Sequence, residues 1–208
     1  MKATPAGELF TVFIVDDDDE IVRELSRLLR AHGYKTQSFT SSEEFLEKHD
    51  SSLPGCALLN LSMSGLELQQ ALARNDGATR PIVFSTACAD ILSTVRAMKA
   101  GSVDVLTRPV EDAALLAAIT QAEQLDADLR RESVELSSIE ERLSSLTRRE
   151  REVLEHVIAG RLNRQIASDL GTVLQTIKVY RGRMMKKMKV RSVAELVWLA
   201  ARIGVSIA

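Results

Sequence analysis

Cysteine is scarce in this chain of 208 residues, in which Cys56 and Cys88 are the only two. Two cysteines are too few for a framework of disulfide bonds, and they fit a reducing, cytoplasmic compartment. Cys56 lies inside a strand pattern and is expected in the core. Cys88 is either a small apolar residue or a thiol that senses oxidation. A phosphate-binding loop, a CxxC pair and a nucleophile–histidine arrangement are also missing, so we expect neither an enzyme nor a cofactor.

Long apolar runs are missing as well. No segment approaches the run of about 18 apolar residues that is needed to span a bilayer. Residues 1–10 lack the basic start and apolar stretch of a secretory signal. Apolar residues make up 45% of the chain and charged residues 27%, as is ordinary for globular proteins. We therefore expect a cytoplasmic protein of one large domain or two modest domains that does not bind a membrane.

The formal net charge of −2 hides an uneven distribution. Residues 1–145 carry 14 lysines and arginines against 24 acidic residues, whereas residues 146–208 carry 13 against 5. The second part is therefore strongly basic, as is typical of a segment that meets a polyanion. Two solvated surfaces of opposite sign would give the same counts.

Short β-type runs alternate with helical patterns over residues 10–124. The first run, Phe10–Val15, ends in Asp16–Asp19, and a helix with an apolar stripe follows it as far as Gly33. Further strand patterns lie at Tyr34–Phe39, Cys56–Leu59, Pro81–Ser85 and Val103–Leu106. Five βα units in succession predict an α/β domain over residues 1–124 with a doubly wound, five-stranded parallel sheet.

Residues 111–146 contain neither glycine nor proline, and leucine and isoleucine recur there at helical spacings. The pattern predicts a helical linker over residues 125–145. Its apolar seam is irregular, which gives little support for a coiled coil. Residues 146–208 are predicted to form an all-α domain of four short helices. Their start signals are Thr147, Asn163, Thr172 with Gln175, and Ser192.

Two of these helices form a helix-turn-helix pattern, in which a Gly-Thr turn joins residues 165–170 to residues 174–187. Ile177, Met184 and Met188 form the inward stripe of the second helix. Its remaining surface carries Lys178, Arg181, Arg183, Lys186 and Lys187. Such a helix fits the major groove of double-stranded DNA, where exposed side chains reach bases and cations neutralise phosphates.

The basic part resembles the LuxR/NarL-type helix-turn-helix over about residues 143–205, notably in Leu146–Leu154 and Thr176–Arg181. The resemblance implies that Lys178, Val179 and Gly182 face bases, with Arg181 and Arg183 nearby. Gly182 has no side chain, so its share of base reading must shift to a neighbour. Tyr180 occupies a position that is often a histidine and that contacts phosphate. The candidate DNA contacts are thus Thr176, Lys178, Val179, Tyr180, Arg181, Arg183, Lys186 and Lys187.

In this family the fourth helix commonly forms a dimer. The resemblance therefore implies an interface that includes Val193, Leu196, Val197, Trp198 and Ala201. The alternative for Trp198 is an ordinary place in the core of the domain.

Carboxylates cluster after the first strand, at the edge of the sheet where such folds bind ligands. Asp16 and Asp17 offer oxygen ligands to Mg²⁺, although an acidic run can equally cap the following helix. Residues 10–124 resemble the receiver (CheY-like) domain of a FixJ-like response regulator in Ile14–Asp17, Met63–Leu68 and Ala97–Gly101, among other segments. The resemblance implies a pocket of Asp16, Asp17, Asn60, Thr86 and Arg108.

The departures from the receiver pattern carry more weight than the matches. The third strand ends in Asn60, where the family has the aspartate that accepts phosphate, and a neutral amide cannot attack phosphorus at useful rates. The loop after Asn60 is shorter than in the family. Arg108 replaces a lysine, and its guanidinium can pair with Asp16 or Asp17 to imitate a charge-neutralised state. A shifted alignment, with Asp18 or Asp19 as the acceptor, is the main alternative.

We therefore expect a transcriptional regulator with an atypical receiver domain that works without phosphorylation. Its partners would be promoter DNA and a second copy of the chain. The input would be a non-phosphate ligand, a protein partner or protein concentration. One rival is a conventional response regulator that a sensor kinase phosphorylates on a pocket aspartate. The other is a factor that draws a related regulator into heterodimers.

Overall fold

The computed structural model describes residues 9–62, 65–75, 80–87 and 90–204. The chain divides into two compact units, with the boundary between Arg131 and Glu132. Across the described ranges, no helix combines the length and the apolar character needed to cross a membrane.

The first unit contains a five-stranded parallel sheet with the strand order β2-β1-β3-β4-β5. Its strands are β1 (Thr11–Val15), β2 (Lys35–Phe39), β3 (Gly55–Asn60), β4 (Ile82–Thr86) and β5 (Asp104–Thr107). Thr11 pairs with Lys35 on one side and with Gly55 on the other, which sets the register around β1. The predicted doubly wound, five-stranded sheet is confirmed. Because its strands are parallel, their carboxyl ends lie at one edge.

Helices cover both faces of this sheet. They are α1 (Asp19–Ala31), α2 (Ser42–Lys48), α3 (Gly65–Asn75), α4 (Ile91–Lys99) and the first part of α5 (Asp112–Ser144). Successive residues of β1 point to opposite faces. Phe13 and Val15 pack with α2, α3 and α4, while Val12 and Ile14 pack with α1 and α5. Burial on both faces explains why the central strands are nearly continuous apolar runs.

The second unit is helical. It contains the end of α5 with α6 (Arg148–Ile158), α7 (Asn163–Asp169), α8 (Leu174–Met188) and α9 (Val193–Arg202). Val153, Ile166, Ile177 and Leu196, one from each helix after α5, meet in one core, and Ile139 of α5 joins them. The predicted all-α domain is confirmed, with an additional contribution from α5.

The segment predicted as a linker, residues 125–145, is a continuous part of α5, and each half packs within its own unit. In the first unit, Asp126 pairs with Arg130 at 2.9 Å, and Arg130 also donates to the backbone oxygen of Leu53. In the second unit, Ile139 is buried. The domain boundaries at residues 124 and 145 stay a prediction.

The helix starts in the second unit agree with the sequence at two of four positions. Thr147 and Glu150 form a full capping box at the start of α6, and Ser192 caps α9. The expectations for Asn163 and Thr172 were wrong. Helix α7 already includes Asn163, and α8 begins two residues after Thr172 without a side-chain cap. A cap must immediately precede the helix, and apolar residues occupy both of those positions.

Candidate receiver pocket and nucleic-acid interface

The predicted pocket residues meet at the carboxyl edge of the sheet. Asp16 and Asp17 follow β1, Asn60 ends β3, Thr86 ends β4 and Arg108 follows β5. Asp16, Asn60 and Thr86 are buried, whereas Asp17 is exposed. The parallel topology explains the meeting, because it carries the ends of four separate strands to one edge.

An ion pair between Arg108 and Asp16 lies in this pocket. The Nη2 atom of Arg108 contacts Asp16 Oδ2 and also donates to Ser85 Oγ at 2.8 Å. Only 14% of the Arg108 side chain and 2% of the Asp16 side chain are exposed. Removing one partner of so buried a pair leaves an uncompensated charge, at a cost on the order of 3–5 kcal/mol. Of the two pairings expected for Arg108, the structure has the one with Asp16.

The Asn60 amide is a second, uncharged hydrogen-bond donor to the carboxylates. Its Nδ2 lies 3.4 Å from Asp16 Oδ1 and 3.4 Å from Asp17 Oδ1, while its Oδ1 accepts a hydrogen bond from Ser62 N at 3.0 Å. The backbone N–H of Ser62 requires an acceptor, which fixes the orientation of the amide. An aspartate at this position would bring a third carboxylate toward the other two and would require another cation.

The acidic run after β1 divides between two roles. Asp16 belongs to the pocket, whereas Asp18 caps α1: its Oδ1 accepts from Glu20 N at 2.9 Å and from Ile21 N at 3.3 Å. The capping alternative is therefore correct for Asp18 and wrong for Asp16. Because these amides already bind the Asp18 carboxylate, Asp18 is a poor substitute for the missing phosphate acceptor.

The donor set of the pocket does not suit Mg²⁺. The ion is held by oxygen ligands, chiefly carboxylates, yet the Asp16 carboxylate is already paired with Arg108. Asn60 turns its NH₂ group, which cannot bind a cation, toward Asp16 and Asp17. Within the residues that the structure describes, no three acidic, histidine or cysteine side chains are arranged to hold a metal ion.

Of the two cysteines, Cys56 is the one that lies among the described residues. Cys56 is completely buried in β3, as expected, and burial raises the pKa of its thiol well above the usual range. Its thiolate is therefore disfavoured, so the residue is inert. Cys88 lies outside the described residues, as do Met63 and Ser64 in the loop after Asn60. Redox sensing by Cys88 stays a prediction.

The exposed side of α8 follows from its buried stripe. Ile177, Met184 and Met188 are buried in the core. At about 100° per residue, the opposite side of the helix carries six exposed residues, here termed the outer face: Gln175, Lys178, Val179, Gly182, Arg183 and Lys186. Of the predicted DNA contacts, Lys178, Val179, Arg183 and Lys186 belong to this face.

Two predicted DNA contacts are engaged within the domain. Arg181 is half-buried, and its Nη1 donates to Asn163 Oδ1 at 2.6 Å. Lys187 Nζ donates to Glu150 Oε2 at 2.6 Å and to Ser145 O at 2.9 Å. The Lys187 ammonium holds the pKa of the buried Glu150 carboxyl below its usual value. The side chain of Lys187 is still 36% exposed while it offsets the charge of the buried carboxylate, and its contact with DNA stays a prediction.

A cleft of about 200 Å³ lies at the start of α8. The predicted residues Thr176 and Tyr180 line it, together with Thr172 from the turn and Arg149 from α6. Hydroxyl groups and a guanidinium are donors that suit phosphate oxygens. Sequence reasoning missed Arg149 and Thr172 as candidates. The signal available for Arg149 was its positive charge in the segment that carries the family resemblance.

The fourth helix of the domain exposes a tryptophan. Trp198 is 58% exposed, whereas Leu196 is completely buried. Val193 and Val197 are half-buried and Ala201 is exposed. The core alternative for Trp198 is therefore wrong. A large aromatic side chain on the surface is suited to an interface.

The fold agrees with comparisons to known proteins. Residues 12–120 match the response regulator receiver domain, and residues 144–200 match the bacterial regulatory proteins of the luxR family. Nodulation protein W of Bradyrhizobium diazoefficiens is 36% identical over 206 residues, which cover 98% of this chain and 90% of that protein. The transcriptional regulatory protein FixJ of Azorhizobium caulinodans is 37% identical over 205 residues, which cover 96% and 95%.

Solved structures of response regulators also match this chain over nearly its full length. The response regulator StyR matches with a TM-score of 0.77 and 44% identity, over 92% of this chain and 98% of that one. Full-length FixJ from B. japonicum matches with a TM-score of 0.55 and 33% identity, over 96% and 99%. This chain therefore belongs to the response regulators that join a receiver domain to a luxR-family regulatory domain. It is a DNA-binding transcriptional regulator and not an enzyme.

Proposed function

We propose that this regulator acts in the cytoplasm as a homodimer on double-stranded promoter DNA, and that its receiver domain is controlled without phosphorylation. The observation that carries the second part is the buried ion pair between Arg108 and Asp16, with Asn60 beside it. A non-phosphate ligand, a protein partner or the concentration of the chain would then supply the input.

The chemistry of position 60 supports this proposal. Transfer of a phosphoryl group to a receiver requires an anionic oxygen that attacks phosphorus and keeps the group as an acyl phosphate. Asn60 offers a neutral amide whose oxygen already accepts a hydrogen bond from Ser62 N at 3.0 Å. Its nitrogen faces the two aspartates, so neither end of the amide is available as a nucleophile.

The charge balance of the pocket points the same way. In a phosphorylated pocket, a bound cation and a lysine would offset the carboxylates and the phosphoryl group. Here Arg108 offsets Asp16, and the same guanidinium nitrogen also donates to Ser85 Oγ. The charge of the buried Asp16 carboxylate is therefore already offset by Arg108, so this carboxylate needs neither a metal ion nor a modified neighbour to balance it.

Binding to double-stranded DNA is supported by the basic residues on the outer face of α8. This face presents Lys178, Arg183 and Lys186 together, all exposed, and the cleft beside it adds Arg149. Such a face disfavours the alternative of a factor that only draws a relative into inactive heterodimers, because that role needs no basic recognition helix. Base edges and phosphates of the major groove are its natural ligands.

The homodimer is supported by two exposed apolar features, one in each unit. In the first unit, α4 exposes Ile91 at 77% and Leu92 at 66%. In the second unit, Trp198 is 58% exposed on α9. Exposed apolar side chains grouped in this way mark interaction surfaces, and a dimer would match the paired half-sites that helix-turn-helix proteins use.

Binding of a labelled duplex tests the proposal. The duplex is first selected from a randomised pool with the full-length chain, and its affinity is then measured by fluorescence anisotropy in Mg²⁺, with and without beryllofluoride. We expect the same affinity under both conditions. An affinity that changes several-fold with beryllofluoride would support the conventional, phosphorylated regulator instead. The double variant Asn60→Asp/Arg108→Lys is the control that should gain a response.

A further inference from the structure

Gln175 is a polar residue of α8 that the fold itself does not use. The sequence suggested that it completes a capping box with Thr172, but α8 begins without a side-chain cap. Gln175 is exposed, and it stands in the first turn of the helix, directly after Leu174. A glutamine that neither caps nor packs is available for a ligand.

Its position on the helix is an outward one. At about 100° per residue, Gln175 lies roughly 200° around the helix from Ile177 and about 180° from Met184, and both of those residues are completely buried. Val179 and Gly182, four and seven residues further on, lie on the same side as Gln175. This line of three residues therefore lies on the outer face of α8.

One member of this line cannot read DNA by itself. Gly182 has no side chain, and a Cβ atom built there meets nothing within 4 Å. Val179 offers only an apolar surface, which suits a thymine methyl group but makes no hydrogen bond. Hydrogen-bonded reading along this line therefore depends on Gln175, with Lys178 beside it.

We propose that Gln175 is a specificity-determining residue whose side-chain amide binds N6 and N7 of an adenine in the major groove. The amide carries one donor and one acceptor side by side, and adenine is the base that presents their complement in the major groove. The inference rests on the proposed function, in which α8 enters that groove, and residues in the first turn of such a helix are the ones that reach base edges.

A phosphate contact is the less suitable role for Gln175. Phosphates flank the groove, and the cleft at the start of α8 already gathers donors for them, including Arg149 and Thr172. A neutral amide gains less from a phosphate than a cation does. Phosphate contacts would also carry no sequence information, so the two roles predict different measurements.

The test compares the full-length chain with its Gln175→Ala variant on the same duplexes. A duplex is selected with the wild-type chain from a randomised pool, and each A·T pair is then replaced singly by the other pairs. For one adenine in each half-site, we expect the wild-type affinity to fall roughly 5- to 150-fold on replacement. The affinity of Gln175→Ala should be low already and should no longer depend on that base.

A second variant at position 175, a modified adenine and a control variant make the test more specific. Gln175→Glu should come to prefer cytosine at the same position, because a carboxylate accepts a hydrogen bond from its amino group. Replacing the adenine by 7-deazaadenine removes only N7 and should weaken the wild-type chain but not Gln175→Ala. The exposed glutamine Gln124, in α5 of the first unit, gives the matched control Gln124→Ala, whose binding should equal that of the wild type.

Three outcomes would overturn the inference. If Gln175→Ala weakens binding equally on every duplex, the residue contacts phosphate. If Gln175→Ala binds every duplex as the wild type does, the residue makes no contact. In both cases the proposed function survives, because the wild-type chain still selects a duplex. If the wild-type chain selects no sequence at all, the proposed function fails and the inference fails with it.

Discussion

Replacing Gly182 by alanine should change folding stability and DNA affinity in opposite directions. Gly182 lies inside α8, where glycine is about 1 kcal/mol less favourable than alanine. A Cβ atom at this position meets nothing within 4 Å, so no clash offsets the gain. We therefore expect the free energy of unfolding of the second unit to rise by about 1 kcal/mol, or its melting temperature by roughly 4–8 °C.

Trp198 provides a direct readout, because it is the only tryptophan in the chain and lies in the second unit. Thermal unfolding of the full-length chain, followed by tryptophan fluorescence, therefore reports on the unit that contains Gly182. DNA affinity is measured in parallel on a selected duplex. On the outer face, the added methyl group would stand between α8 and the base edges, so the affinity should fall several-fold even though the domain is more stable.

Two results would contradict the expected changes in stability and DNA affinity. A melting temperature that stays constant or falls would contradict the open surroundings of Gly182. A DNA affinity that is unchanged or improved would mean that the outer face around Gly182 does not approach DNA. The exposed residue Gln124, replaced by alanine, is the control for both measurements, since α5 carries it outside the second unit.

Substitutions at four other positions have expected effects on stability or on DNA binding. Lys187→Met should lower the free energy of unfolding by about 1–2 kcal/mol at neutral pH. This value already allows for solvent screening, because the Lys187 side chain is 36% exposed. The pKa of Glu150 is lowered in the folded protein. The stabilisation by the Lys187–Glu150 ion pair is therefore fully present above the ordinary pKa of a glutamate, and it is lost as the pH falls through the lowered pKa. Urea titrations between neutral and acid pH would show it, with Lys186→Met as the control. Lys178→Ala should cost about 1–3 kcal/mol of specific binding, whereas Arg183→Ala should weaken all duplexes alike and reduce the salt slope. Asn60→Asp should destabilise the first unit at neutral pH, where three carboxylates would meet, but not at acid pH. Added Mg²⁺ should restore the stability of this variant. Calorimetry at both pH values, with and without Mg²⁺, measures these effects.

The sheet and its edge could be predicted because local signals and topology agree. The runs around β1 and β3 are nearly continuous and apolar, as strands buried on both faces must be. Once the strands are parallel, the meeting of Asp16, Asn60 and Arg108 follows from chain order alone. Even the pairing of Arg108 could be narrowed to Asp16 and Asp17, because both directly follow β1 at the same edge of the sheet.

Contacts between distant helices could not be predicted in the same way. Lys187 has the sequence context of an exposed cation, yet it binds Glu150, which lies 37 positions away. No periodicity within α8 carries that information. The cleft with Arg149 was missed for the same reason, since α6, the turn and α8 each contribute one part of it.

The start of α8 illustrates a different failure. Thr172 and Gln175 have the spacing of a capping box, but the helix begins at Leu174 and uses neither of them as a cap. Spacing alone cannot fix the first helical residue, because boundaries shift by one or two positions with tertiary packing. The misplaced cap is also informative, since it leaves Gln175 without a role inside the fold.

The most direct test of the claim that the receiver domain is not phosphorylated is a measurement of the intact mass of the full-length chain after incubation with acetyl phosphate and Mg²⁺. We expect the mass to stay unchanged, because Asn60 offers no anionic oxygen and the buried Asp16 carboxylate is already paired with Arg108. A mass increase of one phosphoryl group, localised to any pocket carboxylate, would contradict the account.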